Sequence, residues 1–350
     1  MHEKRIAIYG GTDLDEAGRE FVRYLAQAIL MTAEDIVLLT GGYRSNPERP
    51  QNVSTDSQVV NGVEDLPGID PSMVKKRLQI MQPDPAKDRS DAIRYKPEDT
   101  NATITILQGD SARQRRLKLV TAATAIITVK GFQNTSLLLD AALAVGKPFL
   151  PLPFTGGDSR EYWDDYKDRI CRWFGIPVEV AAQLENIDLP LCTAKEKRQL
   201  AERVAGIVAK AIERICLLAL PFHDSYRKFY REVLEPAITA AGFTPRRLDE
   251  VLYSGRILAE YFRSLNDSDR VIADVTDYNP NVMYEIGYAH ALNIFPLLVD
   301  ATPTREEPSR GLPFYLKDHI VYRYDESDAG TGNLAETIRS WLSKESEPGQ

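Results

Sequence analysis

Short apolar strands that end at glycine and lead into an amphipathic helix recur along this chain, and that alternation admits few folds. Arg5-Ile-Ala-Ile-Tyr9 ends in Gly10-Gly11-Thr12 and is followed by a helix from Glu16 to Leu30, with Phe21, Leu25, Ala28 and Ile29 on one buried stripe. Ile36–Thr40 ends in Gly41-Gly42, and Ala125–Val129 passes through Gly131 into a helix over Ser136–Val145. A second run begins at Ile215 and includes the strand Arg270–Val275, a helix carrying Glu285, and the strand Phe295–Val299. Strands that alternate with helices pair in parallel through helical crossovers. The expected class is therefore α/β: two Rossmann-like units, each a mostly parallel sheet with helices on both faces.

A chain of 350 residues has room for about two domains of ordinary size. The first is expected over 1–192, interrupted by a long polar, Pro-rich segment at 43–101 in which only 54–63 and 72–79 read as helical. A connection of that length within a domain carries function or is irregular. The next helix opens on a capping box, Thr193 with Glu196, and reads as the last helix of the first domain or as a connector over 193–214. The second domain is expected over 215–342, followed by a polar tail at 343–350.

Composition narrows the function classes. A formal net charge of −8 argues against a broad cationic surface, so DNA is not an expected partner. Three scattered cysteines and four histidines form no metal-ligand spacing, so no metal is expected. No apolar run approaches the roughly 20 residues of a membrane helix, and Met-His-Glu-Lys-Arg runs straight into a strand without a signal-peptide core. A cytoplasmic protein without membrane association is the expectation.

Chemistry concentrates in the second half. An apolar strand delivers Asp274, a turn through Asn279-Pro280-Asn281 follows, and Glu285 lies early in the next helix. Ligands of open parallel sheets bind outside the carboxyl ends of the strands. Two carboxylates there suit chemistry at a sugar carbon, where one opposes developing positive charge and the other handles protons or hydroxyls. Phe222, Tyr226, Asp249, Asn281 and Tyr284 are the candidate substrate contacts, with Phe222 or Tyr226 to stack a base. Charged residues at strand and helix ends also serve as plain caps. His290 fits a packing role, and Tyr284 and Tyr288 are helix neighbours, which makes packing the default for one of them.

Pro221-Phe222, Arg247-Leu-Asp249 and Ile272-Ala-Asp-Val-Thr with Asn-Pro-Asn-Val-Met-Tyr-Glu-Ile-Gly resemble the nucleoside 2-deoxyribosyltransferase-like superfamily, a structural cousin of TIR domains, over about residues 214–325. The resemblance implies that Glu285 is the catalytic glutamate and Asp274 the pocket aspartate. It implies N-glycosidic chemistry, either deoxyribosyl transfer or hydrolysis of a nucleotide or NAD. Leu220-Pro-Phe222 departs from the Tyr- or Gly-rich first strand end of the transferases, which leaves hydrolysis open.

In the first half, Gly10, Gly11, Thr12, Gly41 and Gly42 lie at strand ends where backbone can approach a phosphate. Gly131 and Thr135 flank a helix start, and Arg113, Arg115 and Arg116 offer guanidinium groups. Taken one by one, glycine turns are ordinary topology and arginines on a helix are usually a solvated face. Tyr-Gly-Gly-Thr, Leu-Thr-Gly-Gly, Arg115-Arg116 and Gly-Phe-Gln-Asn-Thr together resemble the SLOG superfamily, related to the Lonely Guy phosphoribohydrolases, over residues 5–155. Leu138 occupies the position of that family's catalytic glutamate, so the resemblance implies a sensor of a nucleotide or NAD-derived ligand rather than a hydrolase. It also implies self-association and a place beside NAD- or nucleotide-consuming effectors of bacterial antiviral defence. The expected protein thus joins a nucleotide sensor to an N-glycosidase, with NAD or a nucleotide as substrate or ligand and no further cofactor. A non-catalytic, oligomerising signalling protein is the alternative.

Overall fold

The structure, a computed structural model, describes residues 4–45, 48, 52–90, 92–221, 224–247, 264–265, 268–301, 316, 319, 321–325 and 327–343, with backbone alone at 224–226. The chain divides into two compact units near residue 212.

The first unit holds β1 (Lys4–Gly10), α1 (Glu16–Thr32), β2 (Ile36–Thr40), α2 (Thr55–Glu64), α3 (Pro71–Arg77), β3 (Leu78–Pro83), β4 (Thr103–Leu107), α4 (Ala112–Ala122), β5 (Ala125–Val129), α5 (Asn134–Ala144), β6 (Phe149–Leu152), α6 (Gly157–Phe174), α7 (Val178–Glu185) and α8 (Ala194–Ala211). Its strands run in the order β4-β3-β2-β1-β5-β6, and every pairing is parallel. The order reverses between β1 and β5, which opens a crevice at their carboxyl ends.

The long 43–101 segment is less irregular than its composition suggests. It contributes α2, α3 and also β3, an inner strand between β2 and β4. Gln79, Gln82 and Pro83 hid that strand from the hydrophobic pattern. The sheet accommodates them because Gln79 Nε2 donates to Thr105 Oγ1 at 2.8 Å and Gln82 Nε2 to Tyr95 O at 3.0 Å. The buried Arg77 guanidinium donates to the carbonyls of Ile36, Leu30 and Ala33, satisfying the last turn of α1 as a cation at a helix carboxyl end does.

The helix that could be read as a connector belongs to the first unit. α8 begins with the expected Thr193–Glu196 capping box and buries Leu200, Ala201, Val204, Ala205 and Val208 in the same core as α1.

The second unit holds β7 (Ile215–Ala219), α9 (Asp224–Phe229) continuing through a π-helical turn at Tyr230–Leu234 into α10 (Glu235–Ala240), β8 (Thr244–Arg247), β9 (Arg270–Asp274), α11 (Pro280–Ala291), β10 (Leu297–Asp300), β11 (Val321–Arg323) and α12 (Asp328–Leu342). The sheet order is β11-β10-β9-β7-β8, again all parallel, with the reversal between β7 and β9. Leu218, Ile272 and Val299 pack with Leu234, Ile238 and Ile338, whereas their neighbours Leu217, Val271, Ala273 and Leu298 pack with Val282 and Ile286. Alternate residues of one strand therefore feed two cores, so helices cover both faces. Among the described residues no helix is long and apolar enough to cross a membrane.

Candidate functional site

Each unit has its own candidate edge. In the first, the crevice between β1 and β5 is crossed by the protein's own hydrogen bonds. Gly11 N donates to Val129 O at 3.0 Å, and Gly11 O accepts from Thr55 N at 2.8 Å and Thr55 Oγ1 at 3.0 Å. Both backbone groups expected to approach a phosphate at Gly11 are thus engaged. The α2 start, Ser54-Thr-Asp-Ser-Gln58, is buried throughout and self-satisfied. Ser54 caps Ser57 N at 3.0 Å, while Asp56 accepts from Thr40 Oγ1 at 2.7 Å and from Tyr43 N at 2.8 Å. The start of α5 is covered as well: the buried Asp158 carboxylate accepts from Ser136 N at 2.8 Å.

Arg115 is 3% exposed, and its Nη1 donates to Gly41 O. A Cβ at residue 41 would collide with that guanidinium, which accounts for the glycine. Arg115 Nη2 reaches Tyr9 Oη at 3.5 Å, but its buried Nε has no partner, and among the described residues it forms no ion pair. The Asp56 carboxylate stands close by, since the same Cβ would also meet its Oδ2 at 2.8 Å, so the guanidinium has a counter-charge beside it and only its Nε is left to be satisfied. Arg116 is already committed: Nε donates to Tyr9 Oη at 3.3 Å and Nη2 to Asn134 Oδ1. Arg113 and Thr12 are exposed, Thr135 is buried, Gly42 is buried at the end of β2, and Gly10 closes β1. Gly131 turns the chain between β5 and α5 with φ 96°. Leu138, at the position of the missing glutamate, is fully buried in the core.

Tyr43 and Arg94 form an antiparallel bridge, and the Arg94 guanidinium lies 5.9 Å from the Tyr43 ring centre while pairing with Asp88 at 2.9 Å.

In the second unit, Asp274 ends β9, is 1% exposed, and accepts from Thr276 N at 2.9 Å through Oδ1. Asn279 caps α11, its Oδ1 accepting from Asn281 N at 2.9 Å, so the Asn281 amide is engaged and its side chain is exposed. Pro280 starts the helix where its missing N–H costs nothing. Glu285 follows within the second turn and is 5% exposed. Among the described residues its Oε2 has no hydrogen-bond partner, and burial pushes its carboxyl up to about 8. Asp274 and Glu285 thus flank one strand–helix unit at the sheet's carboxyl edge.

Tyr284 is 56% exposed on the same helix. His290 has packing contacts, with its ring stacked on His319 at 4.5 Å and tilted against Phe295 at 5.9 Å. Phe222 and Asp249 lie outside the described residues, as does the Tyr226 side chain. Asp300, buried at the end of β10 with Arg323 at 3.6 Å, is a further carboxylate on this edge. Its signal was available, since Leu-Leu-Val-Asp300 repeats the strand-then-Asp pattern of Val-Ile-Ala-Asp274. Among the described residues no group of three His, Cys, Asp or Glu side chains is placed to hold a metal ion.

No known protein family and no curated protein matches the chain. Solved structures with similar folds include a structural-genomics protein, TM1055, at 16% identity and a TM-score of 0.34, covering 57% of this chain and 99% of that one. The molybdenum cofactor binding protein of the phototrophic bacterium Rippkaea orientalis is similar at 20% identity and a TM-score of 0.35, over 48% of this chain and 86% of its own. The Moco carrier protein of Chlamydomonas reinhardtii is similar at 15% identity and a TM-score of 0.33, over 60% and 99%. Likeness at this level carries no information about activity.

Proposed function

We propose that the second unit cleaves an N-glycosidic bond of NAD or a nucleotide, and that the first unit holds a phosphate-bearing, nucleotide-derived regulator. The observation that carries the catalytic half is Glu285, a buried carboxyl with an unpartnered oxygen, raised to about 8 at the carboxyl edge of a parallel sheet. Strongly perturbed carboxyls at such edges mark functional sites. Glycosidic cleavage develops positive charge at the anomeric carbon, which an adjacent carboxylate stabilises. The C1′–N bond breaks, the base leaves with the bonding pair, and water adds its oxygen to C1′ while giving up a proton. Glu285 acts in its ionised form, opposing the oxocarbenium-like centre, and Asp274 orients the ribose hydroxyls. A cationic nicotinamide ring entering the site favours the ionised form.

The regulatory half rests on Arg115, a buried guanidinium whose Nε has no hydrogen-bond partner among the described residues, and on Leu138, which removes the carboxylate that hydrolysis there would need. The sequence resemblances of both halves suggest a role in bacterial antiviral defence. The test is incubation of the purified protein with NAD and a nucleotide panel, with and without candidate cyclic nucleotides, followed by chromatography of released base. Release by the native chain and none by Glu285→Gln is expected. No release under any condition, or equal release by the variant, would sink the catalytic reading.

A further inference from the structure

We infer that Phe132 is the platform on which the aromatic base of the first unit's ligand stacks, which makes that ligand a nucleotide rather than a bare sugar phosphate. This rests on the reading of that edge as an anion site. Phe132 is 76% exposed in the turn between β5 and α5, beside the β1–β5 crevice. The turn is strained. Lys130 and Gln133 hold φ values of 54° and 55°, left-handed conformations that residues with a Cβ seldom adopt. Asn134 N donates to Phe132 O, closing a γ-turn around Gln133 at φ 55° and ψ −57°, the rarer and more strained kind.

The strain persists because the surroundings over-determine the turn. Lys130 N donates to Thr155 Oγ1 at 2.6 Å, Lys130 O accepts from Ser159 N at 3.1 Å, and Gly131 O accepts from Asp158 N at 3.1 Å. Ser136 Oγ donates to Gln133 O at 2.6 Å, and Lys130 Nζ pairs with Asp13 at 2.7 Å. A strained turn held this firmly at a ligand edge points to function. Here it presents an aromatic ring to water with little freedom left to lose on binding.

The same turn is tied to the two arginines of this edge. Asn134 accepts from Arg116, Arg116 also donates to Tyr9 Oη, and Arg115 reaches that same hydroxyl. A nucleotide satisfies both ends of this network. Its phosphate pairs with the guanidinium side, and its base covers the Phe132 ring.

Calorimetry on the full chain with AMP, ribose 5-phosphate and inorganic phosphate tests the assignment. Phe132→Ala is expected to weaken AMP roughly tenfold, the scale of losing one stacked base, and to leave ribose 5-phosphate unchanged, while Phe132→Trp restores AMP. Equal AMP affinity in native and Phe132→Ala protein, or equal losses for AMP and ribose 5-phosphate, overturns it. Should Phe132→Ala instead dissociate an oligomer in sedimentation, the ring serves an interface with the half-exposed Leu117 and Leu137, and the assignment falls. Arg115→Met separates the two claims. If it abolishes binding of all three ligands while Phe132→Ala affects none, the anion site stands without the stacking platform. If the native chain binds none of the three, the anion site itself fails.

Discussion

The carboxyl edges of the two sheets solve opposite electrostatic problems. On the first, the carboxylates are well supplied with donors: Asp56 accepts from Thr40 and Tyr43, and Asp158 accepts from Ser136. The unmet donor there is Arg115 Nε, on a guanidinium with the Asp56 carboxylate close by. On the second, the unmet group is an acid, Glu285, which burial has pushed far from the usual carboxylate range. A buried carboxylate stays ionised cheaply when N–H and O–H groups point at it, and resists ionisation when they do not. The first edge thus keeps an unsatisfied donor, and the second an acid suited to gaining and losing charge during a reaction.

The contrast can be broken most sharply through Glu285. Its replacement by Gln is expected to cut base release by about two to four orders of magnitude, the range of a lost acid–base or charge-stabilising group, as read by single-turnover chromatography. The same substitution should stabilise the second unit in a pH-dependent way. The folded chain holds the Glu285 proton more tightly than the unfolded chain, so native stability falls as pH rises from about 4.5 to about 8. Relative to the native protein, Glu285→Gln should therefore gain about 3 kcal/mol between pH 4.5 and pH 7, visible in denaturant melts at the two pH values. A pH-independent difference would contradict the raised carboxyl.

Carboxylates of the first edge should behave in the opposite sense. Asp56→Ala leaves Thr40 Oγ1 and Tyr43 N without their acceptor and should cost about 2 kcal/mol. Asp158→Ala removes the carboxylate over the start of α5 and should cost about 1 kcal/mol. Smallest of all, Arg115→Met should shift unfolding by under about 1 kcal/mol, because the one close hydrogen bond lost to Gly41 is offset by removing a buried guanidinium whose Nε is unbonded. Stabilisation by either aspartate substitution would erase the distinction between the edges.

The layered fold was largely legible because strand length, glycine ends and helix caps are local signals. The Thr193–Glu196 box and the strand leading to Asp274 stand where the sequence places them. β3 escaped because its glutamines find partners on neighbouring chain segments, and β11 because three half-exposed residues carry almost no hydrophobic pattern. Asp274 and Glu285 could be read because one strand–turn–helix contains both. The first edge was harder. Gly11 was expected to offer its backbone to a phosphate, yet Val129 and Thr55, both remote in sequence, consume it. Likewise, Arg116 spends its guanidinium on Tyr9 and Asn134. Hydrogen bonds between distant segments decide which polar groups remain available, and no local spacing reveals them.

If an ionised Glu285 performs the chemistry of the second unit, the pH dependence of kcat/KM for base release from NAD or the best nucleotide substrate must report its titration. The expected kcat/KM rises about tenfold per pH unit below a midpoint near 8 and then levels off, with Glu285→Gln showing no such rise. A rate that is flat or falls across the same range, or a variant that follows the native profile, would contradict it.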